Sequence, residues 1–251
     1  MKLNRVSATV LVENTTLNPE LKPEHGFSLW VDTGDGKVLF DTGASGVVCE
    51  NAEVLGIDLS EADAIVLSHG HWDHTGGLAA AAGVAHKATI YAHPAAEIDP
   101  AGRECLLSRA PETVVPGIQT TGEIARDTDF EGERGYPMSF PDDQAIYFEV
   151  DEGVVVVVGC AHAGVVNTLQ QVARLANTDT IYAVMGGMHL GPASDDRLEK
   201  TVDAFRRLGV RRLGACHCTG EKAMRLFDKE FPAESFRCAT GTALTFGGQS
   251  G

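Results

Sequence analysis

Basic residues are scarce in this chain of 251 residues: 20 lysines and arginines stand against 35 aspartates and glutamates, for a formal net charge of -15 and a pI of about 4.9. Sequence-independent affinity for nucleic acid is carried by cations set against phosphate, and no basic stretch supplies them, so no nucleic-acid partner is expected. Arginine outnumbers lysine, which together with the acidity suits a high-salt cytoplasm. Long apolar runs are missing too. The longest, residues 154–158, has the length of a strand, so no membrane span is expected. The N-terminal Met1-Lys2-Leu3-Asn4-Arg5 lacks the apolar core of a signal peptide. The six cysteines show no framework spacing, so reduced thiols and a cytoplasmic location are expected.

What remains is ordinary globular material, 43% hydrophobic and 22% charged, long enough for one large α/β domain or two small ones. One stretch stands out: Ser68-His69-Gly70-His71-Trp72-Asp73-His74-Thr75-Gly76-Gly77-Leu78. His69, His71, Asp73 and His74 place four metal-capable side chains within six residues. Imidazole and carboxylate bind zinc-like ions at ~2.0–2.2 Å, so ligands this close in sequence must converge on one small volume. A solvated surface turn is the plain alternative. The preceding apolar residues 64–67 read as a buried strand and residues 75–80 as a helix start, which puts the ligands on a strand-to-helix turn where α/β sheets carry their chemistry.

Residues 6–12 alternate and are β-branched, a first strand, followed by a polar, proline-punctuated loop over 13–26. Residues 27–31 and 37–40 form a hairpin about the Asp35-Gly36 turn. Asp41-Thr42-Gly43 leads into a helix over 44–56, where Asp41 is either a helix cap or a functional carboxylate. Residues 89–92 are a strand ending at His93, read as a pocket wall. From about 100 to 143 periodicity fades and an irregular insertion over the site is expected.

Residues 144–150 and 154–158 are two strands, the second running into Gly159-Cys160-Ala161-His162-Ala163-Gly164 and a helix to about 176. His162 thus leaves a buried strand through small residues, as His69 does. Further strands are read over 180–185 and 210–215, with helices over 195–208 and 221–231. Residues 216–220, Cys-His-Cys-Thr-Gly, follow the last strand. Because alternate residues of an extended segment face opposite ways, His217 is assigned to the metal and Cys216 and Cys218 to packing or nearby thiols.

The His-x-His-x-Asp-His pattern at 69–74, with Asp63 before it and Gly76-Gly77-Leu78 after it, resembles the signature of the metallo-β-lactamase-fold superfamily. The resemblance implies one domain over 1–251 with a four-layer αββα sandwich. It implies His69, His71 and His162 around one divalent ion and Asp73, His74 and His217 around another, zinc first and manganese, iron or magnesium after it. Asp41 would support the ligands from behind and Asp73 would act in catalysis; His189, which leaves the same edge of the sheet, would either substitute as a ligand or act in catalysis by donating to substrate.

The chain departs from the superfamily pattern in having no bridging aspartate at Gly186-Gly187-Met188-His189. Asp195 and Asp196 lie beyond a Gly-Pro turn, at a helix start. Residues 122–126, 142–146, 159–164, 186–190 and 216–220 narrow the resemblance to the branch that contains archaeal dihydropterin-methyl-(ribofuranosyl)aminobenzene phosphate synthases.

The function expected is hydrolysis of a phosphorylated or ester small molecule by a metal-activated hydroxide. The alternatives are a transferase condensing a dihydropterin methyl diphosphate with a ribofuranosyl-aminobenzene phosphate, and a noncatalytic metal-binding protein on the same fold. Glu123, Arg126 and His93 are the substrate-binding candidates, the partner is a small molecule, and a homo-oligomer is compatible with all three readings.

Overall fold

The five consecutive valines at 154–158 predict a strand buried on both faces, and the structure uses them that way. In this computed structural model, which describes residues 1–100, 102–131 and 143–248, strand β10 (Gly153–Val158) turns Val155 and Val157 inward between two sheets. Val154, Val156 and Val158 face an outer helical layer. The alternation follows from the two-residue period of a strand.

The first sheet is built from β1 (Arg5–Val12), β2 (Ser28–Asp32), β3 (Lys37–Phe40), β4 (Ala64–Val66), β5 (Thr89–Ala92), β6 (Cys105–Leu107) and the C-terminal β13 (Ala243–Gly247). Its order is β13-β1-β2-β3-β4-β5-β6. The second comprises β7 (Thr113–Val115), β8 (Ile118–Thr120), β9 (Ala145–Val150), β10, β11 (Ala183–Gly187) and β12 (Arg212–Cys216), in the order β12-β11-β10-β9-β8-β7. Val6, Val10, Phe40 and Val66 from one sheet meet Ile146, Phe148, Val157 and Met185 from the other.

The short α2 (Trp72–Thr75) lies on the histidine turn, while helices α1 (Val47–Val54) and α3 (Leu78–Val84) cover the outside of the first sheet, packing Val48, Ala52, Leu78 and Ala81 on Leu39, Ile65 and Ile90. Helices α4 (Val165–Leu175), α5 (Asp195–Arg207) and α6 (Glu221–Glu230) cover the second, with Leu169, Leu198, Phe205 and Phe227 against Val156, Val184 and Leu213. The result is the four-layer αββα sandwich. Among the described residues, no helix is long and apolar enough to cross a membrane.

Several boundaries differ from expectation. The helix over 44–56 shortens to α1, and the strand over 180–185 shifts to β11, because Ile181 and Tyr182 hydrogen-bond Leu208 and Val154 ahead of the parallel ladder that starts at Ala183. The stretch at about 100–143 contributes β6 to one sheet and β7 and β8 to the other; its residues 132–142, Asp142 included, lie outside the described ones. Strand β13 is additional. It pairs antiparallel with β1, Phe246 opposite Val6, and so returns the C-terminus to the first sheet.

Candidate metal centre

The loops that follow β4, β10 and β12 meet at one edge of the sandwich. Their approach depends on bare backbone. A Cβ on Gly159 would lie 2.0 Å from Ser68 Oγ, and one on Gly70 would lie 2.1 Å from the Ala96 carbonyl oxygen. Only glycine lets the loop after β10, and the turn after β5, press this closely on the histidine turn.

Two donor sets result. His69, His71 and His162 offer ligand atoms within 4.8 Å of one another, with ring centroids 4.6, 4.8 and 4.9 Å apart. Beside them, His74 Nε2 lies 3.3 Å from His217 Nε2, and Asp73 Oδ2 lies 3.4 Å from His217 Nε2 and 3.9 Å from His74 Nε2. The rings of His69 and His74 join the sets, their centroids 4.3 Å apart. His69 and His74 are fully buried.

The hydrogen bonds behind these rings fix which nitrogen is available. His74 Nδ1 lies 2.7 Å from Asp41 Oδ2, and an aspartate can only accept, so Nδ1 carries the proton. The Ser68 hydroxyl donates to Asp41 Oδ2 at 2.7 Å, which leaves it to accept from His69 Nδ1 at 2.8 Å. His217 Nδ1 lies 3.0 Å from Asn14 Oδ1. In all three rings Nε2 is therefore the nitrogen turned to the cluster, the arrangement of metal-bound histidines held by outer partners.

Electrostatics agree with a cation site. Burial, then the charges of His74 and His162, hold His69 well below its ordinary pKa. Burial and His189 bring His162 down to about 2. Burial also disfavours charged His74, but the Asp41 carboxylate more than offsets it and raises that ring. Burial would raise Asp73; the bond to His217 and the charges of His74 and His217 instead hold it well below the usual carboxylate range. His69 Nε2 is buried without a hydrogen-bond partner among the described residues. An unsatisfied buried nitrogen of this kind is costly unless a cation takes its lone pair. Imidazoles held neutral at His69 and His162, one ionised carboxylate and an orphaned Nε2 fit a divalent ion.

The other candidates divide. Asp41, fully buried, sits behind the cluster and also accepts the Ser68 N–H at 2.7 Å. His189 packs against His162, ring centroids 4.4 Å apart and planes tilted by 52°. Arg126 reaches the cluster's edge, its Nη1 donating to the His162 carbonyl at 3.0 Å. Glu123 and His93 meet each other, Oε2 to Nε2 at 3.3 Å, with Arg109 Nη1 2.7 Å from the same Glu123 oxygen. Asp195 and Asp196 stand in the first turn of α5, paired with Lys222 and Lys200 on the surface.

Four contributors lie beyond what the spacing indicated. Glu13 accepts the His217 N–H at 2.9 Å, Asn14 holds the His217 ring, and His25 Nε2 lies 3.3 Å from Asp73 Oδ2. All three belong to the polar stretch read simply as a loop; its buried Glu13, 3% exposed, carries no local pattern. The fourth is Cys160, whose Sγ lies 3.1 Å from His74 Nε2 and 3.3 Å from Cys218 Sγ. Its place two residues before His162 was the available signal. The bond shared with Cys160 holds Cys218 well below the ordinary thiol range, while burial and the same partner drive Cys160 up. Cys216 instead pairs with Cys238 in the core between the sheets, sulfurs 3.2 Å apart.

A family model described as the metallo-beta-lactamase superfamily matches residues 21–217. The chain is 27% identical to the 7,8-dihydropterin-6-methyl-4-(beta-D-ribofuranosyl)-aminobenzene-5'-phosphate synthase of Methanocaldococcus jannaschii, covering 98% of both proteins. Among solved structures it is 32% identical to Tm1679, described as a metal-dependent hydrolase of the beta-lactamase superfamily, with a TM-score of 0.83 and coverage of 95% of this chain and 98% of that one. It shares its fold with YhfI from Bacillus subtilis at 15% identity and a TM-score of 0.65, covering 97% and 100%. The chain therefore belongs to the metallo-beta-lactamase superfamily.

Proposed function

We propose that this protein is a metal-dependent transferase that joins a dihydropterin methyl diphosphate to a ribofuranosyl-aminobenzene phosphate, releasing pyrophosphate. The observation that carries the reading is its similarity to the archaeal synthase along 98% of both chains, with no large segment of either left over. In the reaction the arylamine nitrogen forms a bond to the pterin methylene carbon as the carbon–oxygen bond to diphosphate breaks, and the amine loses a proton.

His69, His71 and His162 would hold one divalent ion and Asp73, His74 and His217 a second. Such ions supply charge neutralisation for a leaving pyrophosphate. The chain's own part is positioning. Arg126, at the rim beside His162, carries a fixed positive charge toward phosphate. His189, packed beside His162, stands where it can accept or pass the amine proton. Asp73 would act as an anionic ligand of the second ion and not as the proton acceptor, since a carboxyl group held so far below its ordinary range is a weak base. A reducing compartment such as the cytoplasm suits the six free cysteines.

The hydrolase reading retains one supporting observation, the 32% identity to a protein described as a metal-dependent hydrolase. One experiment separates them: pyrophosphate release from the pterin methyl diphosphate by metal-loaded protein, with and without the arylamine, the products followed by mass. Release that depends on the arylamine, with a coupled product, supports the transferase. An Arg126→Ala variant should then raise KM for the phosphorylated substrates. Failure to couple, with turnover of a phosphoester or lactone, returns the protein to hydrolysis.

A further inference from the structure

We propose that Cys160 and Cys218 supply sulfur donors to the second ion of this centre, alongside His74 and His217, so that this position takes a thiophilic divalent ion such as zinc or cobalt in preference to magnesium or manganese. The inference rests on the reading of the histidine cluster as a metal centre.

The geometry comes from two loops. Cys160 follows β10 directly, and its Sγ lies 3.1 Å from His74 Nε2. Cys218 follows His217 on the turn after β12, and its Sγ lies 3.3 Å from Cys160 Sγ. The offered atoms of Cys160, His217 and Cys218 all fall within 4.8 Å, as do those of His69, His74 and Cys160. Tetrahedral bonds of about 2.0–2.3 Å from nitrogen and sulfur place neighbouring donors roughly 3.3–3.8 Å apart. The observed separations are within a few tenths of an ångström to half an ångström of that.

Room for the sulfur is made at the end of β11. A Cβ on Gly187 would lie 2.8 Å from Cys218 Sγ, so the sulfur stands in space that any side chain there would take. Residues 186–193 at that strand end contain no carboxylate, and Asp195 and Asp196 stand farther on, in the first turn of α5. Soft thiolate donors favour zinc, cobalt or iron over magnesium and manganese, which prefer oxygen. Each thiol would give up its proton to solvent as the ion binds.

The test is cobalt(II) loading of the reduced full-length protein, followed by bound metal per chain and by the near-ultraviolet sulfur-to-cobalt charge-transfer absorption. Wild type should bind two ions and show the band; Cys160→Ser and Cys218→Ser should each lose a large part of it. The double variant should lose it entirely, and Cys49→Ser, on α1, should leave it unchanged. Zinc-edge X-ray absorption on wild type needs no variant and should show sulfur scattering at about 2.3 Å. Two bound ions with no sulfur signature, or a band that survives in the double variant, would overturn the proposal. A wild-type protein that binds no ion would overturn the metal centre itself, a distinct outcome.

Discussion

At Asp41 one carboxylate organises three groups at once: the Ser68 N–H, the Ser68 hydroxyl and His74 Nδ1, each at 2.7 Å. Through the Ser68 hydroxyl it also fixes the tautomer of His69. An Asp41→Asn change keeps the shape but turns one acceptor into a donor, which must then face another donor. Partners behind metal-binding histidines typically account for about 10–100-fold in affinity. Asp41→Asn is therefore expected to weaken binding of zinc by roughly that factor, measured by competition with a chromophoric chelator, while Ser68→Ala has a smaller effect confined to the first ion. Unchanged affinity in a folded Asp41→Asn protein would count against the tautomer assignment. Much of this residue-level picture was legible in the sequence, because His69, His71, Asp73 and His74 declare themselves by spacing. Glu13, Asn14 and His25 did not, since Asn14 meets a ring 203 positions away and nothing local marks that encounter.

At the scale of elements, α4 starts immediately after the loop that carries His162, and its N-cap, Gly164, has no side chain to satisfy the first amides. Glu131 does so from outside the helix, accepting the Val166 N–H at 2.9 Å and the Asn167 N–H at 2.7 Å. The Asn167 side chain in turn accepts the Asp127 and Thr128 amides, so helix and overlying strap are tied together. Glu131→Ala should leave two buried amides unsatisfied and cost about 1–3 kcal/mol. That predicts a fall of several degrees in Tm, read by thermal unfolding, with Glu131→Gln milder because its amide oxygen still accepts one bond. An unchanged Tm would show that water replaces the carboxylate at no cost.

Elements were legible where hydrophobic pattern was strong, as in the valines of β10 or the turn between β2 and β3. They were not where pairing alone makes the strand. Strands β6, β7 and β8 are three residues each, and in β13 only Phe246 and Gly247 are buried.

For the whole molecule, the decisive feature is that the candidate donors come from both sheets of the sandwich. His69, His71, Asp73 and His74 follow β4 of the first sheet, while His162 and His217 follow β10 and β12 of the second. Any ion held by both groups ties the sheets together at the edge where their inter-sheet core ends. An ion that binds the folded chain alone adds RT ln(1 + [L]/Kd), about 2.7 kcal/mol at a hundredfold excess over Kd. For a chain of this size that corresponds to a rise of ~5–10 °C in Tm over chelator-treated protein. His162→Ala should lose the part of the increment due to the first ion, and His217→Ala the part due to the second. The comparison is made within each variant, with and without metal, so that any change in the stability of the metal-free chain cancels. A full increment in both variants would mean that the ion is held by one sheet alone, and that the meeting of the two sets of histidines is packing.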